Sequence, residues 1–271
     1  FFVPEHFPFK LDYHCDVDYL DGGEVVTYAG ASKIKKIFLS LRRERRRVAW
    51  FNSAYQKACA HHCDAIIIPT GTWRYIRTVL HSDLKNSPVP VYMIFHGINP
   101  KEQPKFEKQA RKVAPHKQIH LKVITLRNDF KHSGLTNIDL IVPPVFKPWE
   151  LPVNKKLSFT PPIKIGFFGQ FRKEKNLGFF LEAFTQAKFS VPVKLIVQGA
   201  TAKPEDGELF EQFAKAYQKY ENITFWHKNL IGLDWQKALL SVDAIMMPYA
   251  AERYRYHWSA MLFTAIGFYK P

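Results

Sequence analysis

The stretch Lys164-Ile165-Gly166-Phe167-Phe168-Gly169-Gln170-Phe171-Arg172-Lys173-Glu174-Lys175-Asn176, continued by Leu177-Gly178-Phe179-Phe180-Leu181-Glu182-Ala183-Phe184, reads as strand, glycine turn, basic loop and helix. Ile163 to Phe168 is an apolar run of the length of a buried parallel strand, and Gly169 permits a tight turn where it ends. Leu177, Phe180, Leu181 and Phe184 recur at i, i+3, i+4 and i+7, one face of a helix starting near Asn176, a residue type suited to an N-cap. A helix N-terminus preceded by Arg172, Lys173 and Lys175 is chemically an anion site. Free N–H groups, the positive end of the helix dipole and charge-assisted donors converge there on a phosphate. The plainer alternative is a strand-to-helix turn with solvated lysines.

Outward from this stretch the pattern repeats. Val193 to Val197 with Gly199, a helix from about Glu208 to Tyr220, a strand from Ile223 to Trp226, a helix from Trp235 to Val242 and a strand ending at Pro248 alternate β and α. That is the pattern of a doubly wound parallel sheet. In the first half, Val89 to Phe95 and His120 to Thr125 read as strands. Asp64-Ala65-Ile66-Ile67-Ile68-Pro69, Asp139-Leu140-Ile141-Val142-Pro143 and Asp243-Ala244-Ile245-Met246-Met247-Pro248 share one form: a polar start, a short apolar run and a proline stop. Buried parallel strands arriving after helices look like this, and the recurrence across both halves suggests two similar α/β units. His96-Gly97 directly follows a strand, as Thr70-Gly71 follows an earlier one. Both pairs stand where the ligand crevice of an open α/β sheet lies.

A chain of 271 residues, 46% hydrophobic and 15% aromatic, buries one large core or two medium ones and is not a disordered segment. The formal charge of +15 divides as +9 over residues 1–150 (23 Lys and Arg against 14 Asp and Glu) and +6 over 151–271 (16 against 10). Both halves therefore favour anionic partners. Cys15, Cys59 and Cys63 are an odd, sparse set, in keeping with a reducing compartment. The chain starts without Met and stops at Pro271 inside what reads as an unfinished motif, as a fragment trimmed at both ends would, so a signal peptide is neither seen nor excluded. No run approaches the roughly 18 apolar residues that a spanning helix needs.

Three local features are weighed on their residues. From Ser32 the pattern is helical, with Ile34, Ile37, Phe38 and Leu41 on one face amid Lys33, Lys35, Lys36, Arg42, Arg43, Arg45, Arg46 and Arg47. Such a helix either lies on an anionic membrane, with Lys35, Lys36, Arg42, Arg43 and Arg46 as surface cations each adding about 1 kcal/mol before screening, or packs its apolar face on a sheet. Cys59-Ala60-His61-His62-Cys63 offers three zinc ligands and no fourth, so a packed helix end is the better reading. Asp16-Val17-Asp18 can chelate a hard cation, against the reading of a solvated acidic turn. No metal site is expected. Asp21-Gly22-Gly23-Glu24 is a turn, followed by an expected strand from Val25 to Ala29.

Gly169 to Asn176 with Phe180-Leu181-Glu182-Ala183-Phe184 resembles the signature "G-x-[ILF]-R-x-x-K-N" and "LLEAF" of the group 1 family of GT-B glycosyltransferases. The resemblance implies two Rossmann-like doubly wound parallel-sheet domains facing across a cleft, with Arg172 and Lys175 on the diphosphate of a sugar nucleotide and Gly169, Gln170 and Asn176 beside it. Many members have arginine where this chain has Gln170. Pro143-Pro144-Val145-Phe146-Lys147-Pro148-Trp149 resembles the family's exit from its first domain. This gives an acceptor-side domain at 1–150 and a donor-side domain at 151–271, with Glu150 to Pro162 as linker. His96 matches the family's cleft histidine, and Thr70 and Gly71 fall on the acceptor side. Tyr249 to Pro271 resembles a second signature, "E-A-x-x-x-G-K-P". It places Thr264 at the usual ribose-binding glutamate and Tyr269 at the glycine, with Ser259 opening the helix and Glu252 the one carboxylate nearby.

The expected activity is transfer of a sugar from a UDP- or GDP-sugar to a glycan or lipid-linked acceptor, without a metal or other cofactor and, as the resemblance implies, with retention. The expected location is cytoplasmic, peripheral at the inner face of a membrane. Two rivals stand beside it: a catalytically impaired sugar-nucleotide binder or epimerase-like relative, and a basic nucleic-acid-binding protein using Arg42 to Arg47. No base-reading module is present for the latter, and nucleic acid is not the expected partner.

Overall fold

The structure is a computed structural model. It describes all residues except 8–14, 29, 128–133, 150, 153–158, 251–253 and 255–256. The chain forms two compact units, Phe1–Val142 and Pro143–Pro271.

In the first unit, β1 (Phe2–Pro4) and β2 (Asp18–Leu20) pair in parallel, and α1 (Lys33–Cys59) follows. Then come β3 (Ile66–Ile68), α2 (Trp73–Leu80), a 3-10 turn, β4 (Val91–Phe95), α3 (Gln103–Val113), β5 (Ile119–Ile124) and β6 (Ile138–Ile141). The last four strands make one parallel sheet in chain order, β3-β4-β5-β6. Its core is set by periodicity. Phe106, Ala110 and Val113 form the buried stripe of the otherwise lysine-rich α3, and Val91, Met93 and Phe95 are the buried alternate residues of β4.

The second unit runs β7 (Ile163–Phe167), a 3-10 turn over Lys173–Lys175, α4 (Leu177–Gln186), β8 (Val193–Gly199), α5 (Pro204–Tyr217), β9 (Ile223–His227), α6 (Gly232–Leu240), β10 (Ala244–Ile245) and α7 (Ala260–Gly267). All strands are parallel, in the order β10-β7-β8-β9. Neighbouring residues point to opposite faces, and each face has its own core. Phe167, Leu195 and Val197 join the side chains of α4 and α5, whereas Phe168 and Ile196 join those of α6 and α7. This unit is doubly wound. The stripe expected on α4 is the one buried: Leu177, Phe180, Leu181 and Phe184. α5 starts a turn earlier than its apolar pattern because Pro204 suits the first helical turn and Glu205 and Asp206 complement the helix dipole there.

Four expectations are corrected. The three Asp-initiated runs are edge strands rather than fully buried ones, so Ile67, Leu140 and Met246 are exposed, and the closing prolines stand where an edge tolerates them. Residues 25–28 are not a strand. The glycine turn before them packs on α1: Trp50 Nε1 donates to Gly23 O at 2.9 Å, Arg46 reaches Glu24 O, and Arg43 lies over the Tyr28 ring. Ile34, Ile37, Phe38 and Leu41 of α1 do not pack on the sheet; all four are exposed. Of the five cations expected to face a membrane, Lys35, Lys36 and Arg42 are exposed, but Arg43 and Arg46 are partly buried in the contacts just named.

Residues 143–149 pack with the second unit, so the division falls at Val142/Pro143 rather than near 150. Phe146 N–H donates to Phe263 O at 3.4 Å, its ring stacks on Trp258, and Trp149 N–H donates to Gln236 Oε1 at 3.1 Å. A Cβ on Gly267 would stand 2.1 Å from Phe146 O, a backbone atom that moves only if its whole segment moves. Gly267→Ala is therefore expected to lift this segment and destabilise the fold by about 2–3 kcal/mol in a denaturant melt. A loss within error would show that the approach is not needed.

Candidate functional site

In the second unit the strand order reverses between β7 and β10. Open parallel sheets take ligands outside the carboxyl ends of their strands at such a point, and two segments leave there, 168–176 and 246–250. They are tied together: Met246 N–H donates to Gly166 O at 2.8 Å and Ala250 N–H to Glu174 O at 3.1 Å. Gly169 makes the turn at φ +104°, and its N–H donates to Gln198 Oε1 at 2.8 Å. The chain then pairs with the exit of β8, Phe171 N–H donating to Ala200 O at 2.7 Å.

Lys175 is the unusual group. Only 9% of it is exposed, and its Nζ donates to Phe168 O at 3.0 Å. It lies 5.2 Å from the Tyr249 ring centroid and 5.7 Å from that of Phe167. A Cβ at Gly169 would come within 3.0 Å of Nζ, so that glycine provides room as well as its turn. Among the described residues no carboxylate pairs with this ammonium. Burial, and then the Arg172 guanidinium nearby, lower its pKa to about 8. Two cations held close together without an acid are electrostatically frustrated, and an anion between them relieves both.

Gln170 holds the arginine two residues on: Arg172 Nη2 donates to Gln170 Oε1 at 2.8 Å. Asn176 precedes α4 as expected but does not cap it with its side chain. It sits in the left-handed region at φ 58°, joining the 3-10 turn to the helix, a conformation asparagine tolerates. Ser259 caps α7, its Oγ accepting from Leu262 N–H at 3.4 Å, and it also hydrogen-bonds the Tyr249 hydroxyl. Burial and the stacked Tyr254 push the Tyr249 pKa upward, so this phenol stays neutral. The structure thus brings Gly169, Gln170, Arg172, Lys175, Tyr249 and Ser259 into one region. Thr264 is buried on α7 with its hydroxyl donating to Ala260 O at 2.9 Å, inside its own helix. Tyr269 takes φ 54°, the left-handed geometry for which the matching motif has glycine. Glu252 lies outside the described residues.

In the first unit, His96, Thr70 and Gly71 also come together. His96 Nε2 donates to Pro69 O at 2.8 Å, and Gly71 N–H to Ile94 O at 2.6 Å, so the loops after β3 and β4 are joined at their carboxyl ends. Asp18 is engaged by Lys57. Among the described residues no three His, Cys, Asp or Glu side chains are grouped to hold a metal ion.

Sequence reading missed Gln198 and Tyr249. Gln198 is buried in β8 and ties Gly169 to Lys228 O. A lone amide in the run Val193-Lys194-Leu195-Ile196-Val197-Gln198-Gly199 was the available signal, since a buried amide requires partners. Tyr249 had none beyond its place after Pro248.

No family model and no curated protein matches the chain. Solved structures do. Anabaena HepE in complex with UDP is 12% identical at a TM-score of 0.54, over 94% of this chain and 71% of that one. The catalytic domain of starch synthase IV from Arabidopsis thaliana, bound to ADP and acarbose, is 11% identical at 0.49, over 76% and 56%. The glycosyltransferase SnogD from Streptomyces nogalater is 14% identical at 0.40, over 84% and 62%. The chain spans less than two thirds of the starch synthase and SnogD chains. Two α/β units with parallel sheets define the class, and the likeness to HepE makes the fold GT-B, the fold of a group of glycosyltransferases.

Proposed function

We propose that this chain transfers a sugar from a nucleoside diphosphate donor, with the diphosphate bound at the carboxyl ends of β7 and β10. The observation that carries this is Lys175, a buried ammonium with Arg172 beside it and no carboxylate partner among the described residues. HepE is described in complex with UDP and with UDP-glucose, which supports the donor class. As the bond from sugar to diphosphate breaks, negative charge grows on the leaving phosphate. Lys175, Arg172 and the N–H groups at the start of α4 then bind the transition state more tightly than the ground state, the work a metal does elsewhere. The acceptor is a glycan or a lipid-linked acceptor, and retention of configuration is part of the proposal.

A second reading has its own observation. Thr264, at the position matching the ribose-binding glutamate, is buried and bonded within α7, which favours a sugar-nucleotide binder of impaired turnover. One experiment separates the two. The protein is screened against UDP, GDP, ADP and their sugars for thermal shift and for release of nucleoside diphosphate, with the anomer of any product read by NMR. Saturable shift with release supports the transferase, and shift without release the binder. No shift with any of them overturns both.

A further inference from the structure

The two halves of α1 present different faces. Arg47, Phe51, Ala54 and Ala58 lie on the side buried in the first unit. Ile34, Ile37, Phe38 and Leu41 form a second stripe about a third of a turn away, and they are 71%, 63%, 66% and 57% exposed. Four large apolar side chains at i, i+3, i+4 and i+7 make one continuous patch, not scattered surface hydrophobics.

The charges around the stripe are of one sign. Lys33, Lys35, Lys36, Arg42 and Arg45 are all exposed, and none has an ion pair among the described residues. Glu44, the one carboxylate between residues 33 and 47, is turned away to Arg47 at 3.1 Å, Arg77 at 3.5 Å and Arg43 at 3.9 Å. Arg47 also stacks over the Tyr75 ring at 4.2 Å. The cations that stabilise the fold and those that remain available are therefore separate sets.

We propose that this stripe docks on an anionic lipid bilayer. Ile34, Ile37, Phe38 and Leu41 enter the boundary between headgroups and acyl chains, and Lys33, Lys35, Lys36, Arg42 and Arg45 reach lipid phosphates along their flexible stems. Charge complementarity selects this occupant. A second copy of the helix would set five cations against five, and nucleic acid has no use for an uncovered isoleucine and phenylalanine stripe. The proposal is independent of the donor site.

The test is flotation of the full chain with vesicles of phosphatidylcholine alone and with phosphatidylserine added. Binding is expected to be at least about tenfold tighter to the anionic vesicles and to weaken with salt. Ile37→Asp with Phe38→Asp should lose at least about tenfold in that binding, with an unchanged melting temperature and unchanged nucleotide binding. Lys35→Ala with Arg42→Ala should weaken binding to anionic vesicles only. Equal binding to both vesicles, binding to neither, or full binding by the double Asp variant overturns the proposal. So does a concentration-dependent dimer that the double Asp variant dissociates, because the stripe then joins two copies.

Discussion

Lys175→Met is expected to leave a protein that is more stable and turns over donor far more slowly. The ammonium is 9% exposed and has one carbonyl acceptor and a guanidinium for a neighbour. Its pKa of about 8, against the ordinary 10.5 of a lysine, corresponds to about 3 kcal/mol by which the charged form is disfavoured in the fold at neutral pH. Methionine has similar length and no charge, so this cost disappears. Phe168 O loses its donor, which returns about 1–2 kcal/mol, and the net gain of about 1–2 kcal/mol should raise the melting temperature by a few degrees. Turnover moves the other way. A preorganised donor aimed at developing charge is worth about 3–4 kcal/mol, so release of nucleoside diphosphate should fall by roughly 100- to 1000-fold. Arg172→Ala with Lys175→Ala should remove it altogether while the fold persists. The singles need not add, since the two cations act on one group. Turnover within threefold of the parent, or a lowered melting temperature, would remove Lys175 from the phosphate site.

Lys175 also shows how far sequence reading reached. The α4 stripe and the alternation of strands and helices are local, periodic signals, and the core confirms them residue by residue. Edge and centre are not local. The runs at Ile66, Leu140 and Ala244 look alike because each is short and apolar, but only their neighbours in the sheet decide that all three are edges. The α1 stripe has the period of a core-facing helix, and nothing in its sequence says that another face is buried. At the site, residue types were legible and states were not. The basic loop was visible, but burial of Lys175, the Gln170 to Arg172 hydrogen bond and the Gln198 brace depend on β8 lying beside β7. Tyr269 joins both levels: its place in the motif predicts a glycine-like backbone, and its φ is 54°.

The same ammonium sets a pH dependence whose sign differs for stability and for binding. A lysine whose folded pKa is lowered binds fewer protons in the fold than in the unfolded chain between about 8 and 10.5. Stability contributed at this position therefore rises with pH across that window, and the cost is present in full below it. Lys175→Met should melt above the parent at pH 7 and below it above pH 10, where the neutral amine no longer carries the charge cost but still donates to Phe168 O. Binding runs opposite, because the anion needs the charged form. Affinity for UDP should hold between pH 7 and about 8 and then weaken by up to about tenfold per unit as Lys175 loses its proton, a linkage of one proton to one ligand. The neighbours do not supply this trend. Tyr249, shifted upward by burial, remains neutral. Calorimetric titration of UDP into the parent and into Lys175→Met, in buffers of different ionisation enthalpy, reads both the affinity and the proton. Proton uptake near pH 8.5 in the parent alone is the expected result. Equal profiles in the two proteins would show that the diphosphate is held away from Lys175.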